Sequence, residues 1–152
     1  MSKQINFIYA ADENYNKQLL ISISSLLEQF SGIAKIHIIH KNPSSFIQKL
    51  QEIDSSDKLD QLNIYEFKES KVLFPNIEGT HISEATYYRL FVDKYIPKDV
   101  TEYVYLDADI ICLSDPYDYL KSNNPDYNFS RFEKPIEWMV IDSNLNYKNI
   151  LE

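Results

Sequence analysis

Tyr103-Val104-Tyr105-Leu106-Asp107-Ala108-Asp109 decides how the chain is read. Tyr103 to Leu106 form a continuous apolar run with no polar alternation, the pattern of a central strand covered on both faces. The run ends abruptly in two aspartates with one residue between them. Just upstream, Tyr88, Phe91, Val92 and Tyr95 are spaced for one helical face. Ser83 is a plausible N-cap for that helix, and Pro97 ends it. Further strands are expected over 5–10, 34–39 and 62–67. Between them, Leu19, Leu20, Ile23, Leu26, Leu27 and Phe30 make one amphipathic stripe. Phe46, Ile47, Leu50 and Ile53 make a second, behind Asn42-Pro43. Strands alternating with helices predict β-α-β units: an α/β fold with a Rossmann-like, mostly parallel sheet and flanking helices.

The chain has 152 residues, which suits one domain. With 44% hydrophobic and 25% charged residues it can build a packed core. Only two glycines occur, Gly32 and Gly79, so no G-x-G-x-x-G dinucleotide loop, P-loop or G-x-S-x-G elbow can be written. The single cysteine, Cys112, excludes an internal disulfide and a Cys-based zinc site. It reads as a small buried apolar residue. Fifteen Lys and Arg against 23 Asp and Glu give a net charge of −8. Such a surface repels phosphate backbones, so no nucleic-acid partner is expected. No apolar stretch approaches the roughly 20 residues that span a bilayer, and the N-terminal apolar run is too short for a signal peptide. A cytoplasmic protein without an integral membrane segment is therefore expected. After Pro116 the text turns polar and aromatic, and 121–152 read as an irregular tail of the 1–120 domain.

In open α/β sheets, ligands bind beyond the carboxyl ends of the strands. Two carboxylate-bearing segments fall at that edge: Ala10-Ala11-Asp12-Glu13-Asn14-Tyr15 after the first strand, and Asp107-Ala108-Asp109 after the fourth. On extended chain, residues two apart face one side, roughly 6.5 to 7 Å from each other. Carboxylates so placed can share a hard divalent cation and leave positions for phosphate oxygens. A cation bridging a diphosphate would neutralise charge developing on it as a leaving group. With 12 aspartates, about one Asp-x-Asp arises by chance, so the spacing also suits aspartates that merely cap turns. His37 and His40, three apart on a strand, face opposite ways and should not share a metal. His81 reads as a loop residue. The abundance of tyrosine raises self-glycosylation, but most tyrosines fall in core stripes or beside prolines, and those of the tail equally suit an interaction surface.

The same segments carry a family resemblance. Ile5-Asn6-Phe7-Ile8-Tyr9-Ala10-Ala11-Asp12-Glu13-Asn14-Tyr15 resembles the opening of family 8 glycosyltransferases. His81-Ile82-Ser83-Glu84-Ala85-Thr86-Tyr87-Tyr88-Arg89-Leu90, running on to Tyr103 and Asp109, resembles the donor-binding half of that family in order and spacing. The likeness covers roughly residues 5 to 118. It implies a GT-A fold, a UDP-sugar donor (glucose or galactose), manganese or magnesium, and hexose transfer with retention to a saccharide acceptor. A role in lipopolysaccharide or cell-surface glycan biosynthesis is implied with it. By position, Ala10, Asp12, Asn14 and Tyr15 would surround uracil and ribose, with Ala11 and Ala108 beside them. Arg89 would face the donor. Asp107 and Asp109 would hold the metal, Asp107 also lying near the ribose.

The departures are equally specific. Family members are longer, and the additional part normally supplies the acceptor site, so the chain reads as the nucleotide-binding half. The family's late His-x-x-Gly-x-x-Lys-Pro segment, which adds a metal ligand and a diphosphate-binding lysine, has one echo. Asn128-Phe129-Ser130-Arg131-Phe132-Glu133-Lys134-Pro135 keeps the spacing with Asn for His and Arg for Gly. A Lys-Pro in a loop explains that echo too. The alternative function is a non-catalytic UDP-sugar-binding or partner module, and a ligand-free structural α/β domain is the third.

Overall fold

The computed structural model describes residues 4–50, 53, 56–68, 84–121 and 137–140. Ser83, His81 and 128–135 lie outside them. Among the described residues there are five strands: β1 (Gln4–Ala11), β2 (Ile33–His40), β3 (Leu59–Glu66), β4 (Glu102–Leu106) and β5 (Glu137–Val140). The helices are α1 (Asn16–Gln29), α2 (Pro43–Ile47), α3 (Val92–Tyr95) and α4 (Tyr117–Lys121). The described residues also include the 3₁₀ segments Glu13–Tyr15 and Glu84–Phe91.

The sheet runs β3-β2-β1-β4-β5 with every pairing parallel. The chain builds outward from β1 through β2 to β3, then crosses back to lay β4 on the other side of β1. The strand order therefore reverses between β1 and β4, the switch point where a ligand crevice opens in such sheets.

Alternate residues of β1 feed two cores. Ile5, Phe7, Tyr9 and Ala11 join Leu19, Ile23, Leu26 and Phe30 of α1 and its end. Ile8 and Ala10 point the other way, onto Ala85, Tyr88, Val92 and Ile96. Burial on both faces is why β1, β2 and β4 read as nearly unbroken apolar runs.

Three local details differ from the sequence reading. The segment expected to be an α-helix near Arg89 is 3₁₀ from Glu84 to Phe91 and α-helical only over Val92–Tyr95. Its buried residues Ala85 and Tyr88 are three apart, the spacing at which 3₁₀ side chains eclipse. In the stripe ending at Ile53, the α-helix among the described residues is the short α2, and Ile53 is buried beyond it. Within the stretch read as irregular, β5 pairs with β4.

Candidate functional site

The site grows from the ends of β1 and β4. Their register sets Tyr9 beside Leu106, so Ala10 and Ala11 run alongside Asp107 and Ala108. A hollow of about 180 Å³ opens there, lined by Ala10, Ala11, Tyr15, Thr86, Arg89, Tyr105, Asp107, Ala108 and Asp109, with Ala85 behind. The chain turns directly after β4, where the Ile110 N–H reaches the Asp107 carbonyl at 3.5 Å. That turn leaves Asp107 half-buried and Asp109 exposed.

Three contacts among the described residues hold Arg89. Its Nη2 donates to Asp107 Oδ1 at 2.9 Å. Its Nε donates to the Thr86 carbonyl at 2.9 Å. Its guanidinium carbon lies 4.9 Å from the Tyr105 ring centroid, a cation–π distance. The side chains of Arg89 and Asp107 are only 22% and 29% exposed, so the pair is partly shielded from solvent.

Asp12 and Asn14 stand differently. Asp12 Oδ1 accepts the Asn14 N–H at 2.9 Å and caps the Glu13–Tyr15 turn. Asp12 is thus committed to its own turn, and neither residue lines the hollow. Seven of the nine sequence-named residues converge: Ala10, Ala11, Tyr15, Arg89, Asp107, Ala108 and Asp109. Ala85, Thr86 and Tyr105 were missed. Tyr105 was readable, because it lies two residues before Asp107 on one side of the strand. Thr86 lies three residues before Arg89, one turn of its segment.

Behind the hollow, the Tyr88 hydroxyl has no hydrogen-bond partner among the described residues. Burial raises its pKa, and Glu84, Asp12 and Glu13 add to the effect. The two histidines of β2 face opposite ways, as expected. His37 reaches Tyr65 Oη at 3.0 Å and Asn6 Oδ1 at 3.3 Å, while His40 reaches Asn16 Oδ1 at 2.8 Å. Cys112 is only partly buried, its Sγ 3.1 Å from the Ser114 carbonyl, because it lies on the surface stretch after the turn.

A larger hollow, about 480 Å³, opens at the opposite, amino edge of the sheet. Several of its polar wall residues are paired: Gln4 with Asp60, Lys35 with Asp60, and Asn6 with His37. The smaller hollow is the better site because it lies at the switch point and carries a guanidinium held beside a carboxylate.

Asp107 and Asp109 offer hard oxygen donors of the kind a divalent cation takes. No group of three or more His, Cys, Asp or Glu that could hold a metal occurs among the described residues. The pair therefore fits as part of a coordination sphere, with further oxygens needed from elsewhere.

The all-parallel sheet with flanking helices is a GT-A fold, matching solved glycosyltransferase structures. Two of the solved structures that share it illustrate the likeness. The galactosyltransferase LgtC in complex with donor and acceptor sugar analogues superposes with a TM-score of 0.60 at 19% identity, over 78% of this chain and 43% of that one. The bifunctional glycosyltransferase WbbM, in its apo form, gives 0.55 at 15% identity, over 77% of this chain and 20% of that one. The chain thus spans less than half the length of either. Residues 6–136 match the model of glycosyl transferase family 8, and the chain belongs to that family. No curated protein matches it. No helix among the described residues is long and apolar enough to cross a membrane.

Proposed function

We propose that the carboxyl-edge hollow binds the UDP part of a UDP-sugar, glucose or galactose, together with manganese or magnesium held by Asp107 and Asp109. The full activity proposed is hexose transfer with retention to a saccharide acceptor in the cytoplasm, within cell-surface glycan biosynthesis. The observation that carries this reading is the convergence of Asp107, Asp109, Arg89 and Tyr15 on one hollow at the β1/β4 switch point. Tyr15 offers a ring face to a base. Ala10 and Ala11 let a ligand approach the backbone closely. Arg89 supplies a fixed positive charge for phosphate oxygens. When bound, the cation would stabilise negative charge on the departing diphosphate.

Calorimetry with UDP in manganese and in EDTA tests the proposal. UDP should bind more tightly with the metal, and Asp109→Asn should remove most of that gain, whereas Asp57→Asn should not. Equal affinity in all conditions, or none in any, would refute it. A thermal-shift panel should favour UDP over GDP, ADP and CDP. The second reading, a UDP-sugar-binding module without transfer, is favoured by one observation: the described residues supply two carboxylates and no third metal-ligating group.

A further inference from the structure

Tyr15 reaches the hollow from a turn of three residues, Glu13–Tyr15, none of which is buried. Asp12 holds the start of that turn, accepting the Asn14 N–H on Oδ1 at 2.9 Å and the Tyr15 N–H on its carbonyl at 3.1 Å. The far end runs straight into Asn16, the first residue of α1, which is only 6% exposed. Asn16 Oδ1 lies 2.8 Å from Nε2 of His40, the last residue of β2. Asn16 Nδ2 donates to Ser45 Oγ at 2.9 Å, and Ser45 Oγ donates to the Asn42 carbonyl at 2.7 Å. The Asn42 N–H closes the ring by donating to His40 Nδ1 at 2.9 Å, which leaves Nε2 to donate to Asn16. His40 is itself anchored: it pairs with Ala11 in the sheet, and Phe46 stacks on its imidazole at 6.0 Å between centroids. Two apolar side chains could fill the same buried volume. A hydrogen bond adds what they would not, a set length and direction.

We infer that His40 is a positioning residue for the nucleotide: through its hydrogen bond to Asn16 it fixes the end of the Glu13–Tyr15 turn and so sets the Tyr15 ring beside the hollow. This rests on the proposed UDP reading and adds to that site a residue outside its lining. His40 does not line the hollow, so its effect passes through Asn16 to Tyr15.

Two substitutions in the full chain separate positioning from packing. His40→Gln can still donate to Asn16 from its amide nitrogen, whereas the shorter His40→Asn can keep only the Asn42 contact. Calorimetry with UDP in manganese should find His40→Gln close to native and His40→Asn weaker by about 2- to 10-fold, the worth of one hydrogen bond. Asn16→Ala should lose as much, and adding His40→Asn to it should lose little more, because both remove the same bond. Amide hydrogen exchange at Asn14 and Tyr15, followed by NMR without ligand, should quicken in His40→Asn and Asn16→Ala and stay native in His40→Gln. Circular dichroism shows which variants are folded, and should His40→Asn not fold, Asn16→Ala decides. Equal losses for His40→Gln and His40→Asn overturn the inference. Unchanged exchange or unchanged UDP affinity in folded Asn16→Ala overturns it also. If the native chain binds no UDP, the UDP reading itself fails, and the exchange rates still decide whether His40 holds the turn.

Discussion

His40 is fully enclosed, and both of its ring nitrogens are engaged. Nδ1 lies 2.9 Å from the Asn42 N–H and accepts from it. Nε2 must then carry the proton and donate to Asn16 Oδ1, an assignment the network dictates. Burial lowers the His40 pKa, against a smaller upward pull from Glu13 and Asp12. Burial also lowers that of His37, helped by Lys35. With pKa values depressed in the folded state, the unfolded chain binds more protons on acidification. Stability should thus be complete above about pH 6.5, the ordinary histidine value, and fall below it. Melting temperature measured from pH 7.5 to 5 should show this decline, and His40→Gln should flatten it. A native curve flat through pH 6 would contradict the assignment.

Among the elements, α1 shows how one helix divides its work. Leu19, Ile23, Leu26 and Leu27 recur on one face and sit against β1 and β2. Phe30, just past the helix, closes the stripe against Phe7 edge-on at 5.3 Å. Ile23 is 0% exposed and Ile21, two residues away, 46%. Ile23→Ala should cost about 2–5 kcal/mol by urea denaturation, while Ile21→Ala should stay within about 0.5 kcal/mol of native. Similar losses for both would mean that the helix does not dock on the face described. The opposite face relies on the 84–96 segment, where Phe67 stacks on Tyr88 at 3.8 Å between centroids. That stack anchors the segment that carries Arg89 to the sheet.

Across the whole molecule, the hollow is built from the ends of β1 and β4, the segment before Arg89 and the turn beyond β4. In the function proposed, these parts hold a nucleotide and its diphosphate. Transfer needs more: an anomeric carbon and an acceptor hydroxyl held in near-attack geometry, a positioning effect worth about 7–11 kcal/mol. The chain spans 43% of the LgtC structure, the one that carries both donor and acceptor analogues. These 152 residues are therefore expected to turn over UDP-glucose or UDP-galactose far more slowly than about 1 s⁻¹. Incubation with manganese and a range of saccharide acceptors measures this. Turnover at that ordinary enzymatic rate would show that the acceptor geometry is already complete here.

The amino-acid sequence by itself determined the parallel α/β class, because periodicity and strand length are local properties that neighbouring residues impose. It also determined which carboxylates sit at strand ends: Asp107 and Asp109 follow an apolar run that must stop where its burial stops. Ala10 to Tyr15 were legible for the same reason. Only the tertiary structure decided that β1 lies between β2 and β4, since that depends on contacts such as Phe7 with Val104, far apart in the chain. It alone separated Asp12, committed to its own turn, from Asp107, which meets a guanidinium 18 residues away. The 3₁₀ winding near Arg89 was hidden because three-residue and four-residue spacings overlap within so short a segment. Residue types at strand ends set what chemistry was available, and packing across the sheet decided which groups could act together.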